Sequence, residues 1–306
     1  MLDRSQQEIM DPWKTSDDPL VSICCVAFNH EEYIEEALDS LLVQVTDFPF
    51  EILVHDDAST DRTADIIRAY EQKFPDIIKP IYQSENQFKD NPLINFRFNF
   101  PRAKGEFLAL CEGDDYWISE NKLQIQIDAM KRYPDIDFSF HPAYIVHAGK
   151  RDAKPSWDYG FEQIFYPDSI FECAESFAPT SSYIVRTNLM NKLPEWFYKE
   201  ASVGDLFIEL YGARKAGCLF IEPPMSIYRT GVGASWSNIV SNHDERIEHL
   251  KTSLGTLLLL EDDFPEYTSS IRRKKSVFYF RMAMCYLRLK NDADFKDNMR
   301  RSADAV

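Results

Sequence analysis

The feature that most constrains this chain is an alternation of two hydrophobic periods along its first two hundred or so residues. Residues 20–26 (LVSICCV) are an apolar run of the kind found in strands buried on both faces. Over residues 31–43 the period changes, and Tyr33, Ile34, Ala37, Leu38, Leu41 and Leu42 fall on one helical face. Residues 51–55 return to a strand. A second helix then runs through Ile66, Ile67, Tyr70 and Phe74, with Ser59 or Thr60 as its N-cap and Pro75 just past its end. The same reading expects strands at 78–83, 107–111, 138–146 and 182–186, helices at 120–132 and 204–216, and an extended segment at 219–228 broken by Pro223 and Pro224. Strands alternating with helices in this way imply an α/β fold with a mostly parallel sheet flanked by helices. From about Ser237 to Val306 the pattern becomes two or three helices with no strand signal, and residues 1–19 are polar. The expected organisation is therefore a loose extension (1–19), an α/β domain (20–236) and a C-terminal helical region (237–306).

Charge and cysteine usage narrow the class. There are 34 Lys plus Arg against 50 Asp plus Glu, a formal charge of −16, which argues against nucleic acid as a partner, because phosphate contacts need a basic footprint. It suits a protein that holds divalent cations. Six cysteines (Cys24, Cys25, Cys111, Cys173, Cys218, Cys285) include no CxxC pair and read as buried thiols of a reducing compartment. The start of the chain lacks a signal-peptide pattern, and no apolar run approaches the roughly 18–20 residues that span a bilayer. A cytoplasmic location is expected.

In an open α/β sheet, ligands bind outside the carboxyl ends of the strands. Three such ends are rich in polar groups: Phe28-Asn29-His30, Asp56-Asp57, and Glu112-Gly113-Asp114-Asp115. The last is the sharpest signal, since an apolar strand delivers three carboxylates within four residues and their repulsion calls for a cation. Carboxylates with open positions suit Mg²⁺ or Mn²⁺, which complete their shells with substrate phosphates. A calcium-loop reading of residues 57–68 fails, because Arg62 stands where Gly is needed and Arg68 where a bidentate Glu is needed. Ser59, Thr60 and Asp61 read as helix-capping residues.

Taken together, residues 21–30 (VSICCVAFNH), 51–63 (EILVHDDASTDRT) and 103–117 (AKGEFLALCEGDDYW) resemble the family 2 glycosyltransferases of GT-A fold, in particular the bacterial branch that builds capsules and O-antigens. The resemblance covers roughly residues 20–235. It implies that Val26, Phe28 and Asn29 cup the nucleotide base, with Phe28 lacking a hydroxyl and Val26 standing for a hydrogen-bonding Thr. Asp57 would accept from the base N3–H with Asp56 beside it, and Asn86 would touch the ribose. The family's Asp-x-Asp signature corresponds to Glu112-Gly113-Asp114. Asp114 is then the principal metal ligand, Asp115 the competing assignment, and Glu112 a ligand of the ribose or of a metal-bound water. Asp205, in a Gly-Asp element where the family has Glu-Asp, is the implied base at a helix start, where an ionised carboxylate is favoured; helix capping is its other reading. Thr180, Ser181 and Ser182 fall where the family floors its sugar site. Trp117 is open to sugar stacking or to buried packing, and His141 to the acceptor or to the core. Tyr228, Arg229 and Ser235 resemble the family's closing segment over the diphosphate. Arg97 lies about one residue out of register with a nucleotide-holding Arg.

The implied function is an inverting, metal-dependent glycosyltransferase of hexosyl or N-acetylhexosaminyl type. It would use a nucleotide-diphosphate sugar, UDP-linked first of all, with Mn²⁺ or Mg²⁺. The acceptor would be a hydroxyl of a cell-surface polysaccharide or a lipid-linked oligosaccharide precursor. Two other classes stay open. A sugar-1-phosphate nucleotidyltransferase needs a Gly-rich basic loop after the first strand, which Phe28-Asn29-His30-Glu31-Glu32 does not supply. A decayed nucleotide-sugar-binding or scaffold protein is opposed by Asp57, Asp114 and Asp205 and left open by Val26 and Gly204. Residues 271–290 carry seven basic residues, no acid and several aromatics. This helix lies peripherally on an anionic inner membrane face, or packs on the catalytic domain or on a second subunit of a homo-oligomer.

Overall fold

A computed structural model describes residues 2–14, 18–147, 149–173, 176–201, 203–232 and 242–305. Its strands, in chain order, are β1 Val21–Ala27, β2 Phe50–Asp56, β3 Ile78–Tyr82, β4 Phe107–Leu110, β5 Tyr116–Trp117, β6 Phe138–Phe140, β7 Ala143–His147, β8 Lys150–Arg151, β9 Gln163–Phe165, β10 Ile184–Arg186, β11 Cys218–Phe220 and β12 Ser226–Thr230. Eight of them form one sheet in the order β3-β2-β1-β4-β10-β6-β11-β9. The β3-β2-β1-β4 half is parallel throughout, β10 runs antiparallel to β4 and β6, and β6 pairs parallel with β11. The chain builds β2 and β3 on one side of β1 and β4 on the other. The β1/β4 boundary is thus the topological switch point where a crevice opens.

The strand residues alternate between two cores, as the period of two requires. Val21, Ile23 and Cys25 of β1, with Ile52 and Val54 of β2, pack on the helices Ile34–Leu42, Thr63–Lys73 and Lys122–Arg132. Cys24, Leu53, Leu108 and Leu110 face the opposite core, with Phe96, Phe100, Phe207 and Leu210. The C-terminal helices His243–Asp263 and Thr268–Arg288 contribute Leu257, Leu260, Ile271, Phe278 and Met282 to this second core. The aromatic face of 271–290 therefore packs on the sheet-bearing part of the chain, while Arg272, Arg273, Phe280, Leu287, Arg288, Leu289 and Lys290 are exposed. The expected boundary at 236/237 falls outside the described residues, as does Ser235.

Four expectations change. The run 138–146 is two strands in different sheets, because Pro142 has no N–H to continue a ladder; β7 joins a second sheet, β5-β12-β7-β8. Residues 2–14 are not loose. Ser5 and Glu8 form a capping box on the helix Gln6–Met10, Ile9 is buried, and Trp13 meets Phe50 edge-on at 5.5 Å. The second helix begins at Thr63 with Arg62 at the cap position, so neither Ser59 nor Thr60 caps it. Residues 182–186 divide into a 3₁₀ turn, Thr180–Ser182, and β10. All six cysteines are free, five buried and Cys173 half-buried. Among the described residues no helix is long and apolar enough to cross a membrane.

Candidate active site

The loop after β4 crosses the end of β1, held by Gly113 N–H donating to the Val26 carbonyl at 2.8 Å. Gly113 is required there, since a Cβ would come within 2.9 Å of His30 Nδ1 and 3.1 Å of Ala27 Cβ. Asp114 and Asp115 follow, both nearly buried. Arg229 N–H donates to Asp115 Oδ1 at 2.8 Å, and Asp115 Oδ2 is buried with no partner. Burial, followed by the Asp114 charge, pushes the Asp115 pKa well up. The Glu112 carboxyl is ringed by protein although solvent reaches it, and it too is raised, by desolvation first and then by Asp114 and Asp205.

Arg229 is committed to this loop. Its guanidinium lies between the rings of Tyr33 and Tyr116, at 5.0 and 4.6 Å from their centroids, pairs with Glu36 and donates to the Asp114 carbonyl. It braces the acidic turn from β12.

A cleft of about 190 Å³ opens at the switch point, with Val26, Leu110, Glu112, Thr180, Asp205 and Tyr228 among its lining residues. Asp205 is the first residue of the helix Asp205–Ala213, and its Oδ1 accepts from Leu206 N–H at 2.8 Å. That bond favours the ionised form, but burial outweighs it and the Asp205 pKa is raised. Gly204 precedes it for a steric reason: a Cβ there would lie 2.3 Å from a ring carbon of Phe96.

Several expected site residues are spent on the protein itself. Asp57 accepts from Gln87 N–H at 2.8 Å on Oδ1 and Phe88 N–H at 3.0 Å on Oδ2, with His55 Nε2 3.3 Å away. Asp56 is different, with a buried Oδ1 that has no partner and a pKa raised by burial. Asn29 Oδ1 accepts from Thr60 N–H at 2.8 Å, and Asn29 N–H donates to Ser59 Oγ at 2.9 Å, so this pair staples two loops together. Asn86 Oδ1 accepts from Lys89 N–H, while Phe28 is half-buried at the end of β1. Trp117 is buried, donates Nε1–H to the Ser181 carbonyl at 2.9 Å and carries Lys122 Nζ 4.1 Å from its ring centroid; packing is its role. Ser181 and Ser182 are fully buried, bonded to Ser226 Oγ and the Pro179 carbonyl, which leaves Thr180 alone of the three on the cleft. His141 is a core residue, its Nδ1 2.8 Å from the Pro142 carbonyl oxygen. Arg97 fastens the 87–91 loop through Gln87 and Asn91.

Phe96, the wall against Gly204, and Glu209, one turn beyond Asp205, were not singled out from the sequence. Glu209 had a readable signal in its i, i+4 spacing, while nothing local marks Phe96. Among the described residues no three His, Cys, Asp or Glu side chains form a metal-holding group by themselves. The orphaned Asp115 Oδ2 and the neighbouring Asp114 carboxylate nevertheless fit Mg²⁺ or Mn²⁺, which take one or two protein carboxylates and fill the remaining positions with water and phosphate.

Residues 22–187 match the family profile described as Glycosyl transferase family 2. An uncharacterized protein of Mycobacterium tuberculosis is 41% identical over 135 residues, 44% of this chain and 38% of that protein. The chain thus spans under two fifths of the length of this relative. The UDP-Glc:alpha-D-GlcNAc-diphosphoundecaprenol beta-1,3-glucosyltransferase WfaP of Escherichia coli is 31% identical over 157 residues, 46% of this chain and 54% of WfaP. Among solved structures, S. aureus TarS 1–349 in complex with UDP superposes with a TM-score of 0.58 at 17% identity, over 94% of this chain and 92% of that one. That likeness is one of fold.

Proposed function

We propose, from the premise that the chain belongs to glycosyltransferase family 2 and has a GT-A fold, that it moves a hexosyl or N-acetylhexosaminyl group from a UDP-linked sugar to a hydroxyl of a cell-surface glycan or lipid-linked oligosaccharide precursor. The observation that carries this reading is the meeting of Val26, Glu112 and Asp205 in one cleft at the switch point of the sheet. The UDP named with TarS and the UDP-glucose and diphosphoundecaprenol named for WfaP support the choice of carrier and acceptor class. The catalytic unit is taken as residues 20–236, with 237–306 as a helical region sharing its core. Exposed Phe280, Leu287 and Leu289 beside Arg288 and Lys290 support a cytoplasmic protein that touches an anionic membrane face, where a lipid-linked acceptor waits.

Asp205 accepts the proton of the acceptor hydroxyl while that oxygen bonds to the anomeric carbon. The bond from the same carbon to the diphosphate breaks, and the nucleoside diphosphate leaves with its electron pair. A single in-line displacement of this kind inverts the anomeric centre. A divalent cation held by Asp114 and Asp115, with Glu112 beside them, would neutralise the charge growing on the leaving diphosphate. For reading the base, Asp57 keeps the role of acceptor with Asp56 beside it, whose buried Oδ1 is without a partner.

Calorimetry with UDP, dTDP, GDP and CMP, each with and without Mn²⁺, tests the reading. UDP binding that tightens with Mn²⁺ is expected; no nucleotide binding under either condition overturns it.

A further inference from the structure

At the end of β4 opposite the acidic turn lies a second cavity, of about 630 Å³. Glu106, the residue before β4, lines it together with Arg186 at the end of β10 and with Asn188 and Asn191 of the 3₁₀ turn Thr187–Lys192. Tyr198, from the short helix Phe197–Glu200, lines it as well. Phe96 and Phe100 line both this cavity and the transfer cleft, so the two stand on either side of one aromatic wall. The volume falls within the roughly 300–1,000 Å³ of small-molecule sites and has room for a disaccharide.

The lining has the chemistry of a sugar site. Tyr198 is 41% exposed, yet its ring is fixed: the hydroxyl donates to the Met190 carbonyl at 3.2 Å, and the ring meets Phe197 edge-on at 5.1 Å and Phe96 at 6.5 Å. A ring held in place before a ligand arrives costs little ordering entropy when one binds. Asn188 and Asn191 are exposed, and neither side-chain amide has a hydrogen-bond partner among the described residues. Each amide can both donate and accept, which matches a hydroxyl. Arg186 Nη1 donates to Glu106 Oε1 at 2.7 Å, so the charged groups here form a pair without net charge. The Glu106 side chain is 59% exposed and open to a further donor. The transfer cleft, with Glu112 and Asp205, is by contrast acidic.

We propose that this cavity is a second binding site, apart from the transfer cleft, for an uncharged saccharide. A C–H face of one sugar ring stacks on Tyr198, and ring hydroxyls bond to the Asn188 and Asn191 amides and to the Glu106 carboxylate. The choice of a saccharide rests on the reading of the chain as an enzyme that builds glycans; the site itself needs neither UDP, nor a metal, nor Asp205.

The test is NMR of the full-length protein with N,N′-diacetylchitobiose, cellobiose and maltose, each added alone at millimolar concentration. At least one of them should move the side-chain amide signals of Asn188 and Asn191 and the backbone signals of residues 187–198. Tyr198→Ala should weaken that binding about tenfold. Tyr198→Phe keeps the ring and should stay within about threefold of wild type. If Tyr198→Ala does not fold, Asn191→Ala decides, since no bond within the chain is lost with that amide; it should weaken binding about fivefold. No shift with any of the three disaccharides, or undiminished binding in folded Tyr198→Ala or in Asn191→Ala, overturns the proposal. Inorganic phosphate should leave the same signals unmoved, and shifts with phosphate overturn the uncharged class. Disaccharide binding here without nucleotide binding at the switch point would fail the proposed function and leave this site standing. Mn²⁺-dependent UDP binding without any disaccharide shift would do the reverse.

Discussion

Two acidic loops follow β2 and β4, the strands on either side of β1, and they treat their carboxylates in opposite ways. After β2 the chain saturates its own acids. Asp57 takes two backbone N–H groups from the 87–88 segment, Asp61 takes those of Glu31 and Thr63, and Ser59 and Thr60 bond to Asn29. After β4 the chain leaves its acids open: among the described residues, the Arg229 N–H to Asp115 Oδ1 is the one hydrogen bond reaching the Glu112, Asp114 and Asp115 carboxylates. Buried polar groups are ordinarily paired, so the first loop reads as architecture and the second as a set of donors held for something from outside. Asp56, with its orphaned Oδ1, stands in the first loop but belongs with the second kind.

The largest expected effect lies at the open carboxylate across the cleft. Asp205→Asn removes the proton acceptor, and transfer should fall on the order of 10³-fold while UDP affinity is kept. Undiminished transfer removes Asp205 from the mechanism. Asp114→Asn comes next, with turnover down roughly 10²-fold, the Mn²⁺ dependence of UDP binding lost, and no loss of melting temperature, because no bond from the chain is broken and repulsion is relieved. A marked fall in stability would mean that the β4 loop is as architectural as the β2 loop.

Asp57→Ala is the mirror experiment. It strands the Gln87 and Phe88 N–H groups and should cost about 2 kcal/mol in urea unfolding. Wild-type stability in this variant would collapse the comparison from the other side.

This contrast marks the limit of what the sequence displays. Strand ends are legible to about a residue, because an apolar run stops where burial stops: 20–26 against Val21–Ala27, and 107–111 against Phe107–Leu110. The acids at those ends are legible as well. Their partners are not, since hydrogen bonds such as Asp57 to Gln87 and Arg229 to Asp115 span 30 and 114 residues. By residue type Ser59 and Thr60 are good helix caps, yet Asn29 claims both. Gly204, in place of the family's acid, looks like a decayed site until Phe96 is seen occupying the space of its Cβ. Lys274 sits in a basic run that suggests a solvated or membrane-facing helix, and only the packing of Ile271 and Phe278 turns it inward.

The smallest effect is a slope, and it concerns a carboxylate that is both bonded and ill at ease. Glu209 accepts from Ala178 N–H and the Tyr183 hydroxyl, which places it with the saturated acids. Even so, desolvation and the Asp205 charge raise its pKa from 4.5 to about 8. A folded-state pKa above the unfolded value means that the folded chain holds a proton the unfolded chain has released. Its contribution to stability is therefore fully present below about 4.5 and declines as pH rises through about 8. Glu209→Gln keeps a hydrogen-bonding side chain there and cannot ionise, so this decline should be absent from it. Urea unfolding of both proteins at pH 5 and pH 8 checks the sign: the variant should gain on the wild type between the two. A difference that stays constant would show that hydrogen bonds from the chain are enough to settle a buried carboxylate, and the division between the two loops would then rest on bond count alone.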